Sequence, residues 1–200
     1  MRIRIAHIPC LLLSILVLQA QAGDLVLVDD GRAACTIAVP DKADSFTRMA
    51  ASWLVDYVQQ SSGATWNIVE ESAAPDGTII SVGHTRMAAA AGVTTDDLTY
   101  DACRLRVAGD VLYLIGRDSP VRSGAIEPEE GPWQYFLECA PLRPPLQAGP
   151  KGTCRVVARF LESHCGVQWL APTEKGTRIP KTTRLADRKS TRLNSSHTSI

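Results

Sequence analysis

The chain has 200 residues, with 21 basic and 21 acidic side chains and a formal net charge of zero. Five of the basic residues, and none of the acidic ones, lie in the first 22 or the last 13 positions. Residues 23–187 therefore carry 16 basic and 21 acidic groups, a net charge of −5. A mildly acidic region of this length can bury the core of one domain, but it lacks the basic surface that nucleic-acid binding requires.

The N-terminal segment has the three parts of a secretory signal peptide. Two arginines among the first four residues supply a basic start, an apolar run extends from Cys10 to Leu18, and small residues precede Gly23. The apolar run is far shorter than the roughly 20 residues that span a bilayer. We therefore expect residues 1–22 to be removed and the mature protein to be periplasmic or extracellular, with no membrane association.

The first predicted elements are two short strands and a helix. "DLVLVDDG" and "CTIAVP" are predicted strands, and the Asp-Asp-Gly sequence at residues 29–31 is typical of a hairpin turn between them. "DSFTRMAASWLVDYVQQSSG" then places apolar residues on one helical stripe, with Asp44 or Ser45 as the N-cap and Gly63 as the stop. We expect the aromatic side chains of this stripe to lie in the core and not to bind sugar.

Strands and helices alternate up to residue 118. "TWNIVEE" and "GTIISVGHT" are predicted strands, the second with the apolar run of a strand that is buried on both faces. "RMAAAAG" predicts a short helix, and "ACRLRVAGDVLYLIGRD" predicts a hairpin that turns at Gly109 and Asp110. This order predicts an α/β fold of the two-layer α+β kind, in which two to three helices pack on a mixed β-sheet.

Residues 118–150 interrupt this pattern as a proline-rich insertion. Seven prolines lie between Pro120 and Pro150, and proline removes ladder donors and fixes φ, so regular structure is not expected there. Trp133 and Tyr135 are the candidate carbohydrate-binding residues, because aromatic rings in a long loop can stack on sugars. The alternative is that these rings anchor the insertion to the sheet, because buried aromatic side chains are the commoner case.

The stretch "KGTCRVVARFLESHCGVQWLAP" predicts the last helix and a short strand. Its apolar helical face is formed by Val156, Val157, Phe160 and Leu161. Gly166 ends the helix, and the tryptophan of "VQWL" is large enough to close the core. Every residue of this stretch then has a structural role, and no catalytic role is required.

Five cysteines follow the predicted cleavage site: Cys35, Cys103, Cys139, Cys154 and Cys165. The last two lie on one predicted helix about 16 Å apart, at 1.5 Å per residue, whereas a disulfide needs Cα atoms within about 7 Å. An odd count leaves at least one thiol unpaired, and we expect most of the five to be buried and free. No Cys/His spacing in the chain indicates a metal site.

The sequence contains no pattern that predicts catalysis by this chain. The adjacent carboxylates at 70–71, 96–97 and 129–130 are interpreted as solvated surface, because neighbours on a strand point to opposite faces and glycoside hydrolysis needs two carboxylates at one bond. His84 follows a predicted strand at a position where ligands often bind, and it is interpreted as a turn residue. We expect no catalytic residue, no metal and no cofactor.

The end of the domain resembles a known family. The pattern "GT…FLE…GVxWL.P" followed by "GTxIPK" is similar to the close of the alpha-glucuronidase-type N-terminal domain. That domain also precedes the catalytic barrel of beta-hexosaminidase-like glycoside hydrolases, and it occurs in exported bacterial proteins of a domain-of-unknown-function family. The matching residues are Gly152, Thr153, Phe160, Leu161, Glu162, Gly166, Val167, Trp169, Leu170, Pro172, Gly176, Thr177, Ile179, Pro180 and Lys181. Weaker similarity upstream, in the same order, extends the resemblance over residues 25–181.

The resemblance implies that residues 23–181 form a non-catalytic domain that packs against a (β/α)₈ barrel, whose strand ends carry the catalytic carboxylates. Such a barrel needs about 250 residues, so the catalytic unit is expected to lie outside this chain. Residues 182–200 are interpreted as a truncated linker followed, from Arg188, by a translated vector or adapter sequence; the alternative is a disordered polar tail. The expected partner is the protein's own barrel, and polysaccharide is a further candidate ligand. The alternative function is a stand-alone carbohydrate- or partner-binding module.

Overall fold

The computed structural model describes residues 24–99, 102–118, 151–171 and 174–188. Its helices are α1 (Ser45–Ser62), α2 (Arg86–Ala90) and α3 (Gly152–Cys165). Its strands are β1 (Asp24–Asp29), β2 (Arg32–Ala33), β3 (Thr36–Val39), β4 (Ile68–Glu70), β5 (Ile79–Val82), β6 (Cys103–Ala108), β7 (Val111–Gly116), β8 (Gln168–Trp169), β9 (Thr177–Arg178) and β10 (Leu185–Arg188). The predicted signal peptide, Trp133 and Tyr135 lie outside the described residues. None of the three helices combines the length and the hydropathy of a membrane span.

Five strands form the main sheet in the order β4-β3-β5-β7-β6. Strands β3, β4, β5 and β7 are parallel, and β6 pairs antiparallel with β7 through the predicted hairpin, in which Gly109 has a φ of 61°. All four residues of β5 are buried, in agreement with its continuous apolar run. The sheet is therefore mixed, and with its helices it confirms the predicted α+β fold.

The predicted bounds of α1 are confirmed at both ends. Asp44 accepts a hydrogen bond from the Thr47 amide at 2.7 Å, and Gly63 adopts the left-handed conformation, with a φ of 82°, that closes the last turn. Trp53 and Tyr57 of the apolar stripe are buried in the main core. Two of the three aromatic side chains of the stripe are thus core, and the third, Phe46, is partly buried and packs against the same cluster.

Helices α1 and α3 pack side by side on one face of the main sheet. Strand β7 divides its side chains between the two faces: Leu112 and Leu114 lie in the core beneath these helices, and Tyr113 and Ile115 face the smaller cluster around α2. A fully buried side chain of this size stabilises the fold by about 1.5–3 kcal/mol. Most of the hydrophobic stabilisation therefore lies between the sheet and the α1–α3 layer.

The predicted hairpin between "DLVLVDDG" and "CTIAVP" is wrong in its second strand. Asp30 and Gly31, both with positive φ, turn β1 into β2, and β3 leaves this hairpin to join the main sheet. Ile37 and Ala38 are completely buried in β3. Because both faces of β3 are apolar, it buries more surface between two parallel strands than in a hairpin with one solvated face.

Strand β1 also pairs with β10, which gives a second sheet in the order β10-β1-β2. Residues 185–188, which the sequence predicts to lie in a linker and tail, form this strand, and Leu185 is buried. The register between β1 and β10 shifts around Leu27, whose carbonyl accepts hydrogen bonds from the Trp66 indole at 3.1 Å and the Ala34 amide at 3.0 Å. This bulge joins the small sheet to the main core.

The segment between β9 and β10 lies against the end of α1. Ser61 Oγ donates a hydrogen bond to the Pro180 carbonyl at 2.7 Å, and Lys181 Nζ donates to the Gln60 carbonyl at 2.6 Å. The last carbonyls of a helix have no partner within the helix, and a cation there complements the helix dipole. The "IPK" part of the resemblance thus closes the C-terminal end of α1.

Candidate functional site

The carboxyl ends of the parallel strands form the edge of the main sheet at which a ligand site is expected. After β3 the chain forms β4 on one side of β3 and then β5 on the other side. The direction in which successive strands are added to the sheet therefore reverses between β3 and β5. Open sheets with helices bind ligands at such switch points. His84 follows β5 at this edge, and Asp118 follows β7.

His84, Asp118 and Thr153 are brought together at this edge. His84 Nε2 lies 2.9 Å from the Gly116 carbonyl oxygen and 3.7 Å from Asp118 Oδ2. The Asp118 carboxylate accepts a hydrogen bond from the Thr153 amide at 3.0 Å and a second one from the Thr153 hydroxyl. Since Thr153 lies in the first turn of α3, Asp118 satisfies a helix amide that has no partner within the helix.

Burial distinguishes the two ionisable side chains of this cluster. The His84 side chain is 51% exposed, whereas that of Asp118 is 16% exposed. Burial raises the pKa of Asp118, against the lowering effects of the Thr153 hydrogen bonds and of His84. Such a carboxyl group beside a histidine has the composition of an acid–base site. Both carboxylate oxygens hold Thr153, however, and the arrangement acts as a cap for α3.

A second polar group at the same edge holds the start of α2. The Arg86 guanidinium lies 2.5 Å from Asp41 Oδ2 and 3.4 Å from Glu71 Oε1. Asp41 also accepts a hydrogen bond from the Ser72 amide at 2.9 Å, which lowers the pKa of its carboxyl group. The Glu71 side chain is only 7% exposed, so the interpretation of residues 70–71 as solvated surface is wrong for Glu71. Arg86 supplies the opposite charge that permits this burial.

Serine, histidine and aspartate also meet at the other end of α3. Ser163 Oγ lies 2.7 Å from His164 Nδ1, and His164 Nε2 lies 3.4 Å from Asp187 Oδ1. These residue types form nucleophile–base–acid relays in hydrolases. The sequence does not predict this group, because Asp187 lies in the segment interpreted as a linker. The spacing of the serine, the histidine and the aspartate along the chain matches no motif that would indicate their contact.

The surroundings of this second cluster favour a structural role. Ser163 Oγ also donates to the Arg159 carbonyl at 2.7 Å, the bond by which a helical serine turns back onto its own helix. The His164 ring stacks on Phe160 with centroids 4.7 Å apart. The His164 and Asp187 side chains are 12% and 9% exposed. His164 therefore fastens β10 to α3.

The adjacent carboxylates at 96–97 and the cysteines are the other reactive side chains considered in the sequence. Asp96 and Asp97 are exposed, as predicted, and Arg104 binds Asp97 at 2.7 Å. The described cysteines, Cys35, Cys103, Cys154 and Cys165, form no disulfide with one another. Burial raises the pKa of the Cys35 and Cys165 thiols to about 12, so neither supplies a thiolate near neutral pH. In the described ranges no three His, Cys, Asp or Glu residues could hold a metal ion.

No protein-family model matches this chain, and no curated protein matches it either. The resemblance to the alpha-glucuronidase-type domain therefore stays a prediction that rests on the residues quoted for it. Trp133 and Tyr135, the predicted carbohydrate-binding residues, lie in the part of the chain that the structure does not describe.

Proposed function

We propose that residues 23–188 form a non-catalytic N-terminal domain of an exported carbohydrate-active protein. In this proposal the domain supports a glycoside hydrolase barrel that lies outside the chain and supplies the chemistry. Two kinds of support are independent of each other. The first is the role of the residues that carry the resemblance, and the second is the engagement of the domain's own carboxylates.

The observation that carries the proposal is that the resembling residues hold the domain together. Gly166 ends α3 with a φ of 68°, and a Cβ there would lie 3.3 Å from the Pro180 ring. Trp169 donates from its indole Nε1 to the Tyr57 hydroxyl at 3.0 Å, and the two rings meet edge to face. These contacts fix the end of a helix and the return of the chain along α1. The proposal expects such structural roles of the resembling residues, since it assigns no chemistry to this domain.

The carboxylates of the described residues support the same conclusion. Glycoside hydrolysis requires two carboxyl groups, about 5–9.5 Å apart, that face one glycosidic bond. Asp118 holds Thr153, Glu71 contacts Arg86, and Asp187 faces His164. Each of these three carboxylates has an internal partner, and each stabilises the start or the end of an element.

A turnover assay tests the proposal directly. The purified chain, with circular dichroism to establish that it is folded, is expected to hydrolyse neither an aryl-glucuronide nor an aryl-N-acetylhexosaminide. Asp118→Asn and Asp187→Asn are the matched variants, since each removes one carboxylate from one cluster. Turnover that either substitution abolishes would place the chemistry within this domain and overturn the proposal.

The genomic sequence downstream of Asp187 provides the second test. We expect an open reading frame of about 250 further residues with the alternating strands and helices of a barrel. An early stop codon would favour the binding module instead. That module predicts that Trp133→Ala abolishes affinity for a polysaccharide, whereas the matched Trp133→Phe, which keeps an aromatic ring, retains part of it.

A further inference from the structure

The two ends of the proline-rich insertion meet at one point of the fold. Asp118 and Lys151 form an antiparallel bridge, and the Gly152 amide donates a hydrogen bond to the Arg117 carbonyl at 3.0 Å. One residue further on, Thr153 binds the Asp118 carboxylate through its amide and its hydroxyl. We call residues 116–118 and 151–153 the clamp. These contacts join the last residues before the insertion to the first residues after it.

Two glycines permit the close approach within the clamp. A Cβ at Gly116 would lie 1.9 Å from the Gly152 carbonyl carbon, and a Cβ at Gly152 would lie 2.5 Å from the Arg117 amide nitrogen. Both distances are far below van der Waals contact, and the opposing atoms are backbone. The strand end and the helix start therefore touch along their main chains, with no space for a side chain between them.

The clamp is attached to both layers of the domain. His84 Nε2 lies 2.9 Å from the Gly116 carbonyl and so connects the clamp to the end of β5. Lys151 is buried, and its ammonium lies 3.9 Å from the centroid of the Phe46 ring in α1. Beyond the clamp, Val156 and Phe160 of α3 are buried in the main core. The start of α3 is thus positioned by the sheet and by α1.

We propose that residues 119–150 are an insertion that the domain does not need in order to fold, and that a short turn can replace them. Antiparallel partners such as residues 118 and 151 lie close enough for a two-residue turn to join them. Closing a long loop also costs more chain entropy than closing a short one, so the replacement is not expected to destabilise the domain. The proposal does not depend on the proposed function. It makes any ligand affinity of Trp133 and Tyr135 separable from folding.

The test replaces residues 119–150 in the full chain by Asn-Gly in one variant and by a flexible six-residue glycine–serine linker in another. Both variants are expected to unfold cooperatively, with thermal midpoints no more than about 5 °C below that of the parent chain. Their near-ultraviolet circular dichroism should be unchanged apart from the signal of the deleted aromatic residues. Folding of either variant supports the proposal, and loss of cooperative unfolding in both overturns it.

Discussion

A histidine and an aspartate lie together beside each end of α3, and the two pairs differ in what surrounds them. At the start of the helix, His84 is 51% exposed and its Nε2 lies 3.7 Å from Asp118. At the end of the helix, His164 is 12% exposed and its Nε2 lies 3.4 Å from Asp187. The first pair lies at the clamp, where two backbone segments are in contact. In the second pair the His164 ring stacks on Phe160, and Asp187 belongs to the edge strand β10.

The comparison teaches that the same residue types do different structural work according to the packing around them. In the first pair the aspartate contributes more to the stability of the fold, because its carboxylate binds Thr153 and the histidine is half exposed. In the second pair the histidine contributes more, because its ring stacks on Phe160 and is buried there. Substitutions at the two ends should therefore differ in size, and four of them test that difference.

The largest effect is expected from Gly116→Ala, which opens the clamp at its closest backbone contact. The new Cβ would overlap the Gly152 carbonyl carbon, so β7 and α3 must move apart, at a cost of about 3 kcal/mol of unfolding free energy. Gly109→Ala is the matched control, because Gly109 has a φ of 61° but open space around it, and it should cost only about 1 kcal/mol. Urea denaturation measures both. Equal losses would show that the clamp adds nothing to stability.

His164→Ala is expected to have the next largest effect. It removes the ring that stacks on Phe160 and leaves the Asp187 carboxylate without its partner, at a cost of about 2 kcal/mol. Amide hydrogen exchange should show faster exchange in β10 than in the main sheet. If β10 keeps its protection in this variant, then the pairing with β1 alone holds the strand.

Asp118→Asn tests the electrostatics of the clamp through pH. The folded-state pKa of Asp118 lies above its unfolded value of about 3.9, so the protonated form contributes a stability that is present below that pH. This contribution is lost as pH rises through the folded-state pKa. The stability of the parent relative to Asp118→Asn should therefore fall as pH is raised from about 3.5, as urea midpoints would measure. A relative stability that rises with pH would mean that the Thr153 hydrogen bonds outweigh burial.

The smallest effect is expected from His84→Ala. The side chain is half solvated and loses one hydrogen bond to the Gly116 carbonyl, so the unfolding free energy should fall by no more than about 1 kcal/mol. Loss of the imidazole should also raise the pKa of Asp118 further, since the His84 charge lowers it. Carbon-13 titration of the Asp118 carboxyl group measures that change. A loss of stability as large as that of His164→Ala would erase the distinction between the two pairs.

The elements that the sequence predicts well are those with local signals. The cap at Asp44, the apolar stripe and the glycine stop specify α1 within one stretch of chain, and the structure has the same bounds. The hairpin of β6 and β7 is similar, because its turn and its alternation are adjacent in sequence. In both cases the partners that satisfy the backbone lie a few residues away.

The elements that the sequence does not predict depend on distant partners. Strand β3 pairs with Ile68 and Ile79, and nothing near residues 36–39 indicates that these partners replace a hairpin neighbour. Strand β10 forms by pairing with the edge of β1. The polar sequence of residues 185–188 gives no indication of that distant partner. The same holds for the candidate site. Asp118 and Thr153 are 35 residues apart, and the backbone contacts of the clamp, which two glycines permit, bring them together.

The pairing of β1 with β10 has a consequence for how this domain could be combined with others. Asp24 opposes Arg188 in the register, so the first and last described residues lie within one interstrand spacing of each other, roughly 5 Å. A unit with adjacent entry and exit points can be spliced into a surface loop of a host protein, or circularly permuted, without stretching either connection.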